Sequence, residues 1–422
     1  MKRVVKAQTA IGTGAGDVVE AVGRATRTID GEMTRAPGDA ETTIGTVSSR
    51  STEIVTQLGG LPTGHRSRGH RRRPASGGSL YRSFCSGLRA ARLATPARAD
   101  HHPGMKALVV GAGVVGQVHG YHLARGGATV GFLVKPEHAG ATRAGLTLYP
   151  LNRLPGRRSE PERFDEYSVY DSVEEVSRES WNQVYLTMSS TALRAGDWFA
   201  GLAAVVGDAT IVLLQPGPQD RDFVRATVPE DRVVQGTITL IGYRAPLPGE
   251  ARFPEPGVAY WLPPLSASPM SGPAERVAGV VESLNSGGLP ARHDPNAPER
   301  AAFGAALLIP LISELERADW RFHEFRRGEH LALATRASRE AMRIVGGRRG
   351  VQPPLALRLA AHTSTIRALL RTAPLAAPFD LETYLRVHFT KVGDQTRDML
   401  RIYLDWAGEV GLPAAALATV AD

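Results

Sequence analysis

"MKALVVGAGVVGQVHGYHLARGGATVGFLVK", residues 105–135, contains the strongest structural pattern in the chain. The apolar run 107–110 predicts a short buried strand, and "GAGVVG" follows it directly. The next residues have helical spacing and end at a glycine pair, after which 128–134 predicts a second strand. Strand, glycine turn, helix and strand in this order are typical of a Rossmann-like unit.

The glycine turn has the chemistry of a dinucleotide site. Gly111 permits a tight turn, Gly113 lets the backbone approach a pyrophosphate, and Gly116 allows the helix to pack closely on the strand. The helix N-terminus adds free N–H groups and the positive end of the helix dipole. The alternative is a structural glycine turn without a nucleotide. We predict that the cofactor is held by Gly111, Ala112, Gly113, Val114, Val115 and Gly116.

Lys135 stands where NAD-preferring proteins usually have an acid that binds the ribose hydroxyls. Residues 128–136 contain no acid, and Glu137 is the first that follows. An ammonium attracts a 2′-phosphate, whereas a carboxylate repels it. We therefore predict NADP(H) as the cofactor, the alternative being that Lys135 is simply solvated.

The remainder of the chain predicts an α/β protein with two parts. Further strands of a doubly wound sheet are predicted at 181–188, 208–215 and 232–242, and residues 249–264 predict an antiparallel addition at the far edge of that sheet. A closing helix is predicted at 272–288, and beyond residue 296 long helical periods are predicted at 299–318, 321–345, 354–373 and 380–411. The prediction is an N-terminal Rossmann-like NAD(P)-binding domain over 105–292 and an all-helical C-terminal domain over 293–422. A substrate cleft is expected between them.

Residues 1–104 differ in composition from the rest. They lack a sustained helical or strand period and contain Cys85, the only cysteine, so cysteine chemistry is not expected in 105–422. We predict a disordered tail or an upstream extension read from a start placed too early. The basic run 64–78 leaves a nucleic-acid or targeting role as the alternative.

The net charge of +8 belongs entirely to this leading segment. It holds 16 of the 50 basic and 8 of the 42 acidic residues, so 105–422 has 34 of each and is neutral. We therefore expect no nucleic-acid partner, and no apolar run is long enough to suggest a membrane span. A cytoplasmic protein with a small-molecule substrate is expected, homodimer formation is left open, and no residue spacing predicts a metal site.

From Met105 onward the chain resembles the ketopantoate reductase (2-dehydropantoate 2-reductase) family. The resemblance is carried by the glycine turn, "GATRAGLTLYP" at 140–150, "VYLTM", "VLLQPG", "RVVQGTITLIG" and the helical C-terminal part. It implies reduction of a 2-oxo acid with NADPH, a lysine as general acid, and a glutamate, asparagines and a serine that hold the substrate. Ser189 and Gln215, at the ends of two predicted strands, are then expected at the cofactor.

Several catalytic positions of that family are occupied here by residues that cannot do the same chemistry. The loop lysine falls on Ser189, an asparagine on Pro216 and the glutamate on or near Gln395. The remaining three, the catalytic lysine and two asparagines, fall on Ala301, Ala305 and Ile309. We therefore expect a substrate other than ketopantoate.

Lys391 is the remaining candidate for a proton donor. Residues 105–422 contain three lysines, of which Lys106 starts the first strand and Lys135 is assigned to the cofactor. Lys391 lies in "HFTKVGDQ" (388–395), and we predict catalytic roles for Lys391, Asp394 and Gln395. The alternative is that these residues form a solvated helix face, and that the protein is a catalytically silent nucleotide-binding sensor or scaffold.

Overall fold

A computed structural model describes residues 104–152, 160–217 and 219–422 of the chain. The predictions for the leading segment, including Cys85 and the run 64–78, lie outside the described residues. The strands are β1 (Lys106–Val110), β2 (Thr129–Leu133), β3 (Leu146–Pro150), β4 (Glu162–Phe164), β5 (Ser168–Tyr170), β6 (Gln183–Leu186), β7 (Thr210–Leu213), β8 (Val233–Gly236), β9 (Ile241–Ala245), β10 (Gly257–Trp261), β11 (Ser268–Ser271) and β12 (Ala291–His293).

The helices alternate with strands at first and then follow one another without strands. They are α1 (Val114–Arg125), α2 (Pro136–Arg143), α3 (Val173–Val176), α4 (Ser190–Leu193), α5 (Trp198–Val205), α6 (Asp220–Arg225), α7 (Ala274–Ser286), α8 (Ala297–Arg317), α9 (Phe322–Arg327), α10 (His330–Arg349), α11 (Leu355–Ala360), α12 (Thr363–Ala376), α13 (Leu381–Lys391), α14 (Gly393–Val410) and α15 (Ala415–Ala421), with a 3₁₀ turn at Glu230–Arg232.

The predicted sheet has eight strands in the order β12-β11-β8-β7-β6-β1-β2-β5. β1 is an interior strand, parallel to both of its neighbours, β2 and β6. Ala107 and Val109 pack into one hydrophobic layer, and Leu108 and Val110 into the other. Burial on both faces explains why the strand is a continuous apolar run. The fold class is confirmed: a Rossmann-like α/β part is followed by a helical part.

Helices cover both faces of this sheet. On one face, α1 and α7 contribute Val118, Leu123, Val277, Val280 and Leu284 to the core. On the other face, α3, α5 and α6 contribute Val176, Phe199, Leu202 and Val224. The three-layer arrangement brings the C-terminal ends of the parallel strands to one edge of the sheet, where the glycine turn follows β1.

The prediction of one strand over 232–242 is wrong. Residues 233–236 form β8 in the large sheet, whereas 241–245 form β9 in a separate sheet. Between them, the hydroxyl of Thr239 lies 3.0 Å from Oγ of Ser268 and donates to the carbonyl of Ser266 at 3.3 Å. Side-chain bonds of this kind offer the backbone an alternative to a continuous ladder.

The predicted position of 249–264 at the far edge of the large sheet is also wrong. β10 belongs to a four-stranded sheet in the order β4-β3-β10-β9, where it is antiparallel to β9 and parallel to β3. In the large sheet, β11 is antiparallel to β8. Because β10 buries residues on both of its faces, its sequence pattern could not indicate which sheet it would join.

The helical part is confirmed, but three predicted long helices are each divided in two. The period over 321–345 becomes α9 and α10 because Gly328 adopts an extended conformation. The stretch 354–373 becomes α11 and α12, with His362 extended at the start of α12. The stretch 380–411 breaks at Val392 into α13 and α14. No helix among the described residues is long and apolar enough to cross a bilayer.

An aromatic cluster joins the small sheet to the helical part. The ring of Tyr243 on β9 lies 5.4 Å from that of Phe379 and 6.1 Å from that of Tyr384. Arg252 donates to the carbonyl of Pro378 at 2.7 Å and to the Tyr243 hydroxyl at 2.8 Å. We call Tyr243, Phe379, Tyr384 and Arg252 the aromatic bridge; it fixes one end of the space between the two parts.

Two histidines of α1 are buried in the core. Nδ1–H of His119 donates to the Val115 carbonyl at 2.9 Å, and Nδ1–H of His122 donates to the Gly287 carbonyl at 2.8 Å. Burial lowers the pKa of each imidazole to about 4. Both histidines are therefore neutral in the folded protein at neutral pH.

Stability should fall as the pH drops from 6.5 towards 4. In this window the unfolded chain binds a proton on each of the two histidines, whereas the folded chain does not. Each histidine therefore lowers the free energy of unfolding by up to about 1.4 kcal/mol per pH unit. We expect His119→Gln to reduce the slope of unfolding free energy against pH, measured by urea unfolding at pH 4.5, 5.5 and 6.5. The control is His362→Gln at an exposed histidine, which should leave the slope unchanged. An unchanged slope in His119→Gln would contradict the conclusion that buried His119 is neutral.

Candidate functional site

The turn between β1 and α1 is held by backbone contacts that leave no room for a side chain at Gly116. Gly111 has a φ of 97°, and its N–H donates to the Leu133 carbonyl at 2.8 Å. A Cβ on Gly116 would lie 2.0 Å from the Gly111 carbonyl oxygen and 2.7 Å from Oγ1 of Thr187. The Thr187 hydroxyl bonds to the carbonyls of Val110 and Gly111 at 2.8 and 3.0 Å, which ties β6 to the turn.

Gly113 has a different environment from Gly116. It is the N-cap of α1 with φ −74° and ψ −174°, and no atom lies within 4 Å of the position that a Cβ would take. No side chain caps the helix and its first turn holds no acid, so its N–H groups remain available to an anion. This geometry fits the pyrophosphate of a dinucleotide.

The turn opens into a cleft of about 2890 Å³ between the α/β and helical parts. Such a volume exceeds the roughly 300–1,000 Å³ of an ordinary ligand pocket and is large enough for a dinucleotide together with a second molecule. Ten of the twelve predicted site residues line it: Gly111, Ala112, Gly113, Val114, Val115, Lys135, Ser189, Gln215, Lys391 and Gln395. Gly116 and Asp394 do not line the cleft; Gly116 packs instead against the Gly111 carbonyl.

Lys135 lies at the mouth of the cleft, directly after β2. It is exposed and forms the N-cap of α2, with Pro136 next to it. Asp171, at the end of the neighbouring β5, also lines this region, and sequence reasoning missed it. Its carboxylate is paired with Arg143 at 3.1 Å, which offsets the negative charge that Lys135 would otherwise face.

The side chains of Ser189 and Gln215 form hydrogen bonds to backbone groups of the protein. Ser189 is the N-cap of α4, where its hydroxyl accepts from the Ala192 N–H at 3.3 Å. The buried amide of Gln215 donates to the carbonyls of Leu186 at 3.1 Å and Met188 at 2.8 Å. Gln215 therefore joins the ends of β6 and β7 and shapes the floor of the cleft.

A buried polar cluster supports this floor. Asp220 is fully buried, accepts from the Ser190 hydroxyl at 2.6 Å and pairs with Arg194 at 2.5 Å. Burial raises the pKa of the Asp220 carboxyl, while the bonds from Ser190 and Arg194 oppose that rise. No motif in the sequence indicated this cluster, because its members lie 30 residues apart in loops and short helices.

The three predicted catalytic residues have unequal positions. Lys391 ends α13 and is exposed to the cleft, whereas Asp394 pairs with Arg397 at 2.9 Å on the outside of α14. Oε1 of Gln395 accepts from the Ser190 N–H at 3.4 Å, so this residue connects the helical part to the cofactor side. The structure thus brings Lys391 and Gln395 to the cleft and leaves Asp394 outside it.

His388 also lines the cleft, one turn before Lys391. Its ring stacks on Tyr384 with a centroid distance of 5.4 Å. Although part of the ring is exposed, the surrounding protein lowers the pKa of His388 by desolvation, and the Lys391 charge lowers it further. The imidazole is therefore neutral at pH 7 and adds no charge to this end of the cleft.

Apolar residues occupy four positions of the cleft at which the resemblance would require polar groups. Pro216, Ala301, Ala305 and Ile309 all line it. The wall formed by α8 consequently has no ammonium or amide at Ala301, Ala305 and Ile309, and the segment after β7 has none at Pro216. This agrees with the expectation of a different substrate.

The comparison with known proteins supports the resemblance. The family model of ketopantoate reductase (PanE/ApbA) matches residues 107–265, which confirms the likeness drawn from the sequence motifs. Among curated proteins, no sequence matches the chain significantly.

Solved structures similar to this one show the same fold. A PanE/ApbA family ketopantoate reductase from Ralstonia eutropha JMP134 is 20% identical with a TM-score of 0.55, over 75% of this chain and 96% of that one. A 2-dehydropantoate 2-reductase from Geobacter metallireducens GS-15 is 14% identical with a TM-score of 0.58, over 75% and 98%. D-mandelate dehydrogenase, solved with NADH and anilino(oxo)acetate, is 12% identical with a TM-score of 0.55, over 75% and 96%.

The two glycines of the turn should respond differently to alanine. Gly116→Ala places a methyl against a backbone oxygen that cannot move without opening the turn, and should lower the unfolding free energy by about 1–3 kcal/mol. Gly113→Ala meets no atom and has an allowed φ, so its cost should stay below about 1 kcal/mol. Urea unfolding of both variants tests this; equal losses would show that the turn is packed differently.

Proposed function

We propose that the protein is an NADP(H)-dependent oxidoreductase that transfers a hydride to or from a carbonyl or imine carbon in the cleft. The observation that carries the proposal is the turn at Gly111–Gly116, whose open face at Gly113 fits a dinucleotide pyrophosphate. The match of residues 107–265 to the ketopantoate reductase model gives it independent support.

The nucleotide would be held by the turn and by the ends of the neighbouring strands. The N–H groups at the start of α1 bind the pyrophosphate, and Lys135 binds the 2′-phosphate of the adenosine. When bound, the nicotinamide supplies or accepts the hydride. Ser189 and Gln215 keep the ends of β6 and β7 in place beside it.

Lys391 would act on the substrate from the helical side. During reduction its ammonium donates a proton to the oxygen of the carbonyl group while the carbon receives the hydride, which yields an alcohol. Gln395 positions this end of α14 through its bond to Ser190. Because Ala301, Ala305 and Ile309 offer no polar contacts, the substrate is not ketopantoate. The similarly folded D-mandelate dehydrogenase is an example of another substrate on this fold.

A catalytically silent nucleotide-binding sensor or scaffold is the second candidate. It is favoured by the apolar residues at the positions of the family's polar groups and by the full exposure of Asp394 outside the cleft. In that case the nucleotide would bind at the same turn, but no carbonyl compound would stimulate its oxidation.

Cofactor preference can be measured by titrating the full-length chain with NADPH and NADH and following nucleotide fluorescence. We expect NADPH to bind at least about tenfold more tightly, since one phosphate–lysine contact contributes about 1.4 kcal/mol or more. Lys135→Glu should reverse that preference. Arg371→Glu makes the same charge change outside the cleft and should leave it intact; equal binding of the two nucleotides by the unaltered protein would contradict the NADP(H) proposal.

The role of Lys391 can be measured by NADPH oxidation with a panel of 2-oxo acids. Lys391→Ala should lower kcat by about 10²–10⁴ because the proton donor is lost, while the Kd for NADPH stays within about twofold. Asp394→Ala removes a charge three residues away but outside the cleft and should have little effect. Full activity of Lys391→Ala would assign proton donation elsewhere, and inactivity of the unaltered protein with every acid would favour the sensor.

A further inference from the structure

The amide of Gln235, at the end of β8, has no hydrogen-bond partner in the part of the chain that the structure describes. Five side chains in that part have a buried polar atom without a hydrogen bond, and two of them, Gln235 and Ser266, line the cleft. A buried polar group without a partner is unfavourable for folding. Its presence in the wall of a ligand cleft points to a partner that the ligand supplies.

Gln235 differs in this respect from the glutamine at the end of the neighbouring strand. Nε2 of Gln215 donates to two backbone carbonyls, so that amide is used within the fold. At Gln235, Oε1 is buried without a hydrogen bond, and Nε2 bonds to no described residue. The terminal torsion of a glutamine has a broad range, so either its oxygen or its NH₂ group can turn to the cleft. The Gln235 amide is therefore available to a ligand.

The strand order places Gln235 on the side of the glycine turn that lies opposite Lys135. β8, β7, β6 and β1 are neighbours in this order, whereas β2, which precedes Lys135, lies on the other side of β1. A dinucleotide with its pyrophosphate at the turn after β1 and its adenosine at β2 extends its nicotinamide across the ends of β6 and β7 towards β8. Three strand spacings of about 4.8 Å make about 14 Å from β1 to β8. The nicotinamide ribosyl group and a glutamine side chain can span this distance together.

The surroundings of Gln235 offer few other groups for a carboxamide. Leu213 of β7 lies opposite Gln235, and Pro216 follows at the end of the same segment. Helix α8, which contributes Ala301 to the cleft, contacts β8. Neither Pro216 nor Ala301 has a side-chain donor or acceptor. The Gln235 amide is consequently the polar side chain between these two apolar positions.

The chemistry of a glutamine amide matches that of the nicotinamide carboxamide. Each has one acceptor oxygen and one NH₂ donor, so two such groups can donate to each other's oxygen. Ser266, the other unpaired side chain of the cleft, has a single hydroxyl and precedes β11, one strand further from the turn. Gln235 is therefore the better partner in both chemistry and position.

We propose that the Gln235 amide hydrogen-bonds the carboxamide of NADP(H) and fixes the rotation of the nicotinamide ring in the cleft. This inference rests on the proposed function for the nucleotide, and on the unpaired amide at the end of β8 for the contact. A ring held in this way presents one defined face to the second molecule of the site.

Calorimetric titration of the full-length protein with NADPH and with 2′-phospho-ADP-ribose, which lacks the nicotinamide, tests the contact. We expect Gln235→Leu to weaken NADPH binding about tenfold, the effect of one lost hydrogen bond, and to leave the Kd for 2′-phospho-ADP-ribose within about twofold. Gln352→Leu makes the same change at an exposed cleft residue of the helical part and should alter neither Kd. Gln235→Asn keeps the amide but withdraws it by one methylene, and should also weaken NADPH alone; it serves if Gln235→Leu does not fold.

The two ligands separate this inference from the proposed function. An equal loss of affinity for both ligands in Gln235→Leu would mean that Gln235 shapes the floor of the cleft, and would overturn the contact with the nicotinamide. Unchanged NADPH binding in Gln235→Leu would overturn that contact and leave the nucleotide site intact. Failure of the unaltered protein to bind either ligand would overturn the proposed function, and this inference with it.

Discussion

The close approach of α1 to the end of β1 fixes the arrangement of the strands around the glycine turn. It requires that position 116 carry no side chain, because the Gly111 carbonyl occupies the space of a Cβ. It also requires a positive φ at Gly111. Thr187 completes the contact by bonding to two carbonyls of the turn. Three strands are thereby fixed relative to one helix N-terminus.

From this contact the site extends to the ends of the neighbouring strands. Lys135 follows β2, Ser189 follows β6 and Gln215 follows β7, so residues far apart in sequence meet at one edge of the sheet. The helical part closes the opposite side through the aromatic bridge and through Gln395. In the proposed function, the α/β part holds the nucleotide, and the helical part provides Lys391 for the second molecule.

The local elements around the turn could be predicted because buried strands and glycine spacing leave a direct pattern in the sequence. The pairing of strands could not be predicted. The run 232–242 is equally apolar on both sides of Gly236, yet it divides between two sheets. The helix break at Val392 was not predicted because that position holds neither a proline nor a glycine, although Gly393 follows it directly. The Asp220 cluster could not be predicted because it depends on tertiary neighbours.

Melting temperatures measured with and without NADPH show whether the open face of the glycine turn binds the nucleotide. Ligand binding to the folded state alone should raise the melting temperature of the unaltered protein. Gly113→Ala should melt within a few degrees of the unaltered protein in the absence of nucleotide but gain little from NADPH, because the methyl group occupies the position of the pyrophosphate. An equal rise in melting temperature in both proteins would contradict nucleotide binding at this face of the turn.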